Sequence, residues 1–202
     1  MATIAVDPTN IPKRLTRSKL EAWILFGILV ANKEADQTRK KLDQLFTNMQ
    51  AELQDWSLTA FELVNAIDEK PGALLRHLKE ARTGQYTRIE KAFRQVAKLD
   101  ADTKTLTVEA LEACHGIGPK TARMIVLYAG PETSVVPLDT HVLKYLRKLG
   151  YDCPKATPPA GPKYRYWESV FVSEAKKAGM SVRDFDTYVW KMYAKSTQPT
   201  RG

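Results

Sequence analysis

Apolar residues recur at three- and four-residue spacing along most of this chain, and no alternating run bounded by an Asn-Gly or Asp-Gly turn interrupts them. That period belongs to the helix, whereas sheets need alternation and tight hairpins, so the sequence predicts an all-α fold. Ser18–Lys33 is apolar all round, with Trp23, Ile24, Phe26, Leu29 and Val30, and reads as a buried central helix. A second helix is expected over Asp36–Gln54, with Leu42, Leu45, Phe46, Met49 and Leu53 on one stripe. Shorter helices are expected at Thr59–Ile67, Pro71–Ala81, Gln85–Lys98, Thr107–Cys114, Pro119–Tyr128 and Asp139–Leu149. The segment CPKATPPAGP, from Cys153 to Pro162, is the clear linker. Two helices follow it, Tyr164–Lys177 and Val182–Lys195, the second capped by Ser181 with Asp184 three residues on.

The chain is long enough, at 202 residues, to bury a real core as one domain or two small helical lobes. Its two cysteines, Cys114 and Cys153, are too few for a disulfide framework and are not spaced as a zinc or iron–sulfur site, so no metal and no cofactor is expected. The sequence MATIAVDPTNIPKRLTR lacks an apolar signal core, and the longest apolar stretch, Ala22–Ala31, is about half of what a bilayer needs. An intracellular protein that engages no membrane is the expectation. Lys and Arg number 31 against 23 acidic residues, and the net charge of +8 favours a polyanionic partner.

The stretch LEACHGIGPKTARMIVLYAG is the most informative. An apolar helix ends at His115-Gly116-Ile117-Gly118, and Pro119 opens the next at a position where its missing N–H costs nothing. Glycines two apart permit a tight turn, and the free amides of the turn and the dipole of the new helix point the same way, which suits one backbone phosphate. A plain αα-turn explains a bare Gly-x-Gly equally well. Nineteen residues after Lys120 comes Asp139, at the expected start of the next helix. A helix N-terminus favours a neutral amine and an ionised carboxylate. One such pair supplies a nucleophile and a carboxylate that either faces a developing cation or helps to deprotonate the attacking amine. Against that stand two structural readings, Asp139 as an N-cap and Lys120 as a phosphate contact.

The string G-I-G-P-K-T-A, an apolar helix, a Gly/Pro loop and then L-D-T-H-V together resemble the helix–hairpin–helix DNA glycosylase superfamily. The resemblance implies an all-α, two-lobed fold without an iron–sulfur cluster, since the branches that carry one use four cysteines and only Cys153 follows Asp139 here. It implies an N-terminal arm over 1–17 and a glycosylase domain over 18–202, with one lobe at about 34–130, including the hairpin 111–129, and the other from 18–33 and 131–202. It makes Lys120 and Asp139 the catalytic pair. A lysine at the Lys120 position marks the members that form a Schiff base and cut the strand. Gly116, Ile117, Gly118, Thr121 and His141 fall on DNA-contacting positions, and Asn32 on a position that enters the duplex beside the orphaned base.

The C-terminal DFDTYVWKMYAK is similar to the end of the small archaeal-type 8-oxoguanine glycosylases, which implies a base pocket of Trp190 with Asp184 or Asp186. A flipped purine needs a flat face and acceptors for its N–H groups. Phe185, Tyr188, Val189, Trp190 and Tyr193 also fit a core stripe at helical spacing. The expected partner is double-stranded DNA with a damaged or modified base, bound by a monomer, in cytoplasm, nucleoid or nucleus. Excision of another base and a non-catalytic helix–hairpin–helix DNA-binding protein are the alternatives.

Overall fold

The computed structural model describes residues 7–8, 10–31, 33–102, 104–129 and 134–194. Among them there is no strand, and ten helices follow in the order that the apolar spacing predicts. The chain divides into two compact units, 1–117 and 118–202, so that the boundary falls inside the hairpin between Ile117 and Gly118.

The first unit holds α1 (Arg17–Val30), α2 (Ala35–Leu53), α3 (Ala60–Asp68), α4 (Ala73–Glu80), α5 (Tyr86–Val96) and α6 (Val108–Glu112). Every residue of α1 from Leu20 to Leu29 is buried, because α2, α3 and α5 pack around it. The grouping of 18–33 with the C-terminal lobe is therefore corrected: a helix that is apolar all round needs neighbours on all sides, and it finds them in the N-terminal helices. The one charge in that run, Glu21, is held by Arg17 at 3.1 Å and accepts from the Phe61 amide at 3.0 Å, in the first turn of α3. A buried carboxylate thus answers both a cation and a helix N-terminus. Thr59 and Glu62 close a capping box on the same helix.

The second unit holds α7 (Pro119–Ala129), α8 (Thr140–Lys148), α9 (Pro162–Lys177) and α10 (Val182–Ala194). The hairpin's second helix belongs here and not with residues 34–117. Leu143, Leu146, Tyr164, Phe171, Phe185 and Val189 form its core, and α10 packs against α7, α8 and α9. Ser181 opens α10 as expected, accepting from the Asp184 amide at 3.1 Å and donating to its carboxylate at 2.7 Å. No helix among the described residues is long and apolar enough to cross a membrane.

Candidate active site

The hairpin turn is tight at one glycine and open at the other. Gly116 has φ +72°, and a Cβ there would come within 2.6 Å of Arg88 Cγ. Arg88 lies across this glycine because its guanidinium donates to the Gly116 carbonyl at 2.8 Å and the Ile28 carbonyl at 3.1 Å. Burial holds the Arg88 proton affinity below its ordinary value. Ile117 beside it is buried and bonds back to the Cys114 carbonyl at 3.2 Å. Gly118, in contrast, has no atom within 4 Å of an added Cβ and no left-handed backbone, so neither the turn nor the packing requires a glycine there. Its carbonyl takes the Ala122 amide at 3.0 Å, the first bond of α7. Lys120 and Thr121 follow in that helix's first turn, both half-buried.

Asp139 is the N-cap of α8. Its Oδ1 accepts from the His141 and Val142 amides, each at 2.8 Å. Oδ2 has no protein partner among the described residues, so capping leaves one carboxylate oxygen for another task. The chain leading to it is pinned at Val136 and Leu138 by three side chains. The Val136 amide donates to Glu168 at 2.8 Å, and the Tyr164 hydroxyl bridges the Leu138 amide and the Val136 carbonyl at 2.8 and 2.9 Å. Thr157, from the Pro-rich linker, donates to the Leu138 carbonyl at 2.7 Å. Glu168 is in turn paired with Arg123 of α7 at 2.9 Å, and the Arg123 guanidinium lies 4.2 Å from the Tyr164 ring centre. These contacts tie the helix that carries Lys120 to the segment that presents Asp139. A buried pair of this kind specifies position more than it stabilises.

Asp186 on α10 is buried, and its Oδ2 accepts from the Tyr128 hydroxyl at 2.6 Å. Burial pushes its carboxyl up to about 7; the Tyr128 hydrogen bond opposes that, the Asp139 carboxylate adds to it and the Lys120 ammonium opposes it. Asp186 therefore lies within electrostatic reach of both Lys120 and Asp139 inside one compact unit. Burial first and Asp186 second also push the Tyr128 phenol well above its usual range. Sequence reasoning found Lys120, Asp139 and Asp186 but missed Tyr128, Arg123, Glu168, Tyr164 and Arg88. An acidic residue inside the apolar stretch YWESVF was the one available signal, for Glu168.

The remaining expected residues are placed as follows. Trp190 is 48% exposed, whereas Phe185, Val189 and Tyr193 are buried, so the core stripe of α10 excludes the tryptophan. Asp184 is exposed and engaged with Ser181. His141 is half-buried and stacks on Tyr193 with ring centres 5.9 Å apart. Asn32 lies outside the described residues. No group of three or more His, Cys, Asp or Glu side chains suited to a metal occurs among the described residues.

No protein-family model matches the chain, and no curated protein matches it in sequence. Solved structures do: the fold is the helical helix–hairpin–helix fold of 8-oxoguanine DNA glycosylases, the architecture implied by the resemblance. The chain is similar to the 8-oxoguanine glycosylase/lyase of Methanocaldococcus jannaschii in complex with a 15mer DNA containing 8-oxoguanine. Identity there is 16% and the TM-score 0.63, over 89% of this chain and 83% of that one. The 8-oxoguanine DNA glycosylase of the same organism gives 18% and 0.63, over 88% and 79%. That of Thermotoga maritima gives 22% and 0.61, over 88% and 80%.

Proposed function

We propose that the chain is a DNA glycosylase with lyase activity that removes an oxidised purine, 8-oxoguanine foremost, from double-stranded DNA. The observation that supports this reading is that Lys120 and Asp139, each at a helix N-terminus of the second unit, both act electrostatically on the buried Asp186 carboxyl. The fold supports it, as do the named substrates of the structural neighbours. In the reaction the Lys120 amine attacks C1′, and the bond from C1′ to the base breaks with its electron pair leaving on the base. Asp139 Oδ2 faces the positive charge that develops on the sugar. Ring opening gives an imine, and β-elimination then expels the 3′ phosphate. The hairpin amides around Gly118, with Thr121 and His141, hold backbone phosphates, and Asn32 contacts the orphaned partner base. Trp190 offers the flipped purine a flat exposed face.

Borohydride trapping tests this. Wild-type protein incubated with a duplex bearing 8-oxoguanine should become covalently joined to DNA, and Lys120→Gln should not, while still binding the duplex. Equal trapping in the variant overturns Lys120 as nucleophile. Binding without trapping in the wild type identifies a DNA-binding protein that uses Lys120 for phosphate alone.

A further inference from the structure

Three acidic side chains are buried among the described residues, and they are neutralised differently. Glu21 is hydrogen-bonded to Arg17 and Glu168 to Arg123. Asp186 has no cation bonded to it among the described residues; its partner is a neutral phenol, Tyr128, at 2.6 Å. A buried carboxyl without a bonded cation is costly as an anion and is normally replaced or neutralised. Here it sits on the helix that packs against both α7 and α8, which carry Lys120 and Asp139 at their N-termini. The titratable and charged groups facing it are Lys120 and Tyr128 from α7, Asp139 from the head of α8 and, from α10 itself, Arg183 over the Tyr128 ring at 5.2 Å. From α9, no charged side chain figures among its partners.

We propose that Asp186, held by Tyr128, is the base that takes the proton Lys120 must lose before it attacks, and the acid that returns it to the departing purine. This rests on the lyase reading above. In the first step an Nζ–H bond of the Lys120 ammonium breaks, its proton passes to the Asp186 carboxylate directly or through one water, and a lone pair is left on Nζ. That pair forms the bond to C1′ as the bond to the base breaks. The electron pair released onto the base nitrogen then takes the proton back from Asp186. No oxidant, reductant or metal enters the balance. Beyond capping α8, Asp139 is left with one chemical task, to face the sugar cation. Burial raises the pH at which Asp186 can accept, and the Tyr128 hydrogen bond, which favours the ionised carboxylate, lowers it.

The test uses an abasic duplex, on which no base need leave: the amine attacks the open-chain aldehyde and the proton ends on the oxygen that departs as water. Single-turnover borohydride trapping is followed from about pH 5 to about pH 9. Wild-type protein should show an acidic limb with a midpoint near the value of about 7 that the buried carboxyl holds. Asp186→Asn should trap about a hundredfold more slowly and lose the limb. Tyr128→Phe should keep a limb and move it to higher pH. Thermal unfolding of each variant accompanies the rates. A slow Asp186→Asn protein that retains the wild-type limb marks a structural role and overturns the proposal, as does one with wild-type rate. Should Asp186→Asn not fold, Tyr128→Phe decides: a limb that stays in place overturns the proposal. A wild-type protein that traps at no pH overturns the Lys120 reading and this one with it, whereas trapping with no acidic limb overturns this one alone.

Discussion

At Asp139 the observed cap and the proposed chemistry would share one side chain, with its two oxygens dividing them. Oδ1 accepts two amides at the start of α8, and Oδ2 is left for the substrate. Asp139→Asn keeps an oxygen for the cap and removes the charge, so excision should fall by roughly a hundredfold or more while thermal stability changes little. Parallel measurement of melting temperature and single-turnover excision checks this; a proportional loss of both would leave Asp139 as a cap alone. Trp190 is argued the same way. A core tryptophan costs about 3–5 kcal/mol when truncated to alanine. Trp190, at 48% exposure, should cost far less. Base–aromatic stacking is worth about 1–3 kcal/mol, so Trp190→Ala should lower 8-oxoguanine excision by roughly ten- to a hundredfold with the melting temperature nearly unchanged. Undiminished excision by a stable Trp190→Ala protein would remove both this residue from the pocket and the main sequence argument for that base.

At the scale of the hairpin, the two glycines give opposite expectations. Gly116→Ala forces a left-handed backbone on alanine and drives its Cβ toward Arg88 Cγ at 2.6 Å, displacing the guanidinium from the Gly116 and Ile28 carbonyls. It should lower the melting temperature by several degrees, in line with about 1–3 kcal/mol for strain at a special backbone position. Gly118→Ala meets open space and should leave stability intact while weakening DNA binding, because the methyl group would stand where the proposed phosphate approaches the amides. Calorimetry and a binding titration on the two variants separate turn from contact. If Gly118→Ala bound as tightly as wild type, phosphate contact at this turn would be wrong. All ten helices were legible in the apolar spacing because each one's core face is written locally. Their ends shifted by two or three residues where a cap decided them: α1 stops at Val30 and not Lys33, and α9 starts at Pro162, with proline at its first position, and not at Tyr164. The candidate pair, Lys120 and Asp139, could be singled out because motif and spacing are also local. Arg88 on Gly116, 28 positions apart, Arg123 on Glu168, 45 apart, and Tyr128 on Asp186, 58 apart, leave no periodic trace and emerge only from packing.

For the whole molecule, the net charge of +8 would act on the proposed DNA partner at any sequence, and its effect is separable from the chemistry by salt. Each phosphate neutralised releases condensed counterions, so the logarithm of affinity falls linearly with the logarithm of salt concentration, with a slope of about −0.9 per contact on duplex DNA. Binding to undamaged duplex should therefore weaken steeply with salt. Lys120→Gln should reduce the magnitude of the slope by no more than about one, because one cation among several contacts phosphate at that place. Base excision, in contrast, should be lost in that variant at every salt concentration, since low salt restores binding and not a nucleophile. Fluorescence anisotropy across a salt series, with excision measured on saturated complexes, checks both halves. A flat salt response would remove DNA as the partner, and excision by Lys120→Gln recovered at low salt would reduce the lysine to a phosphate contact.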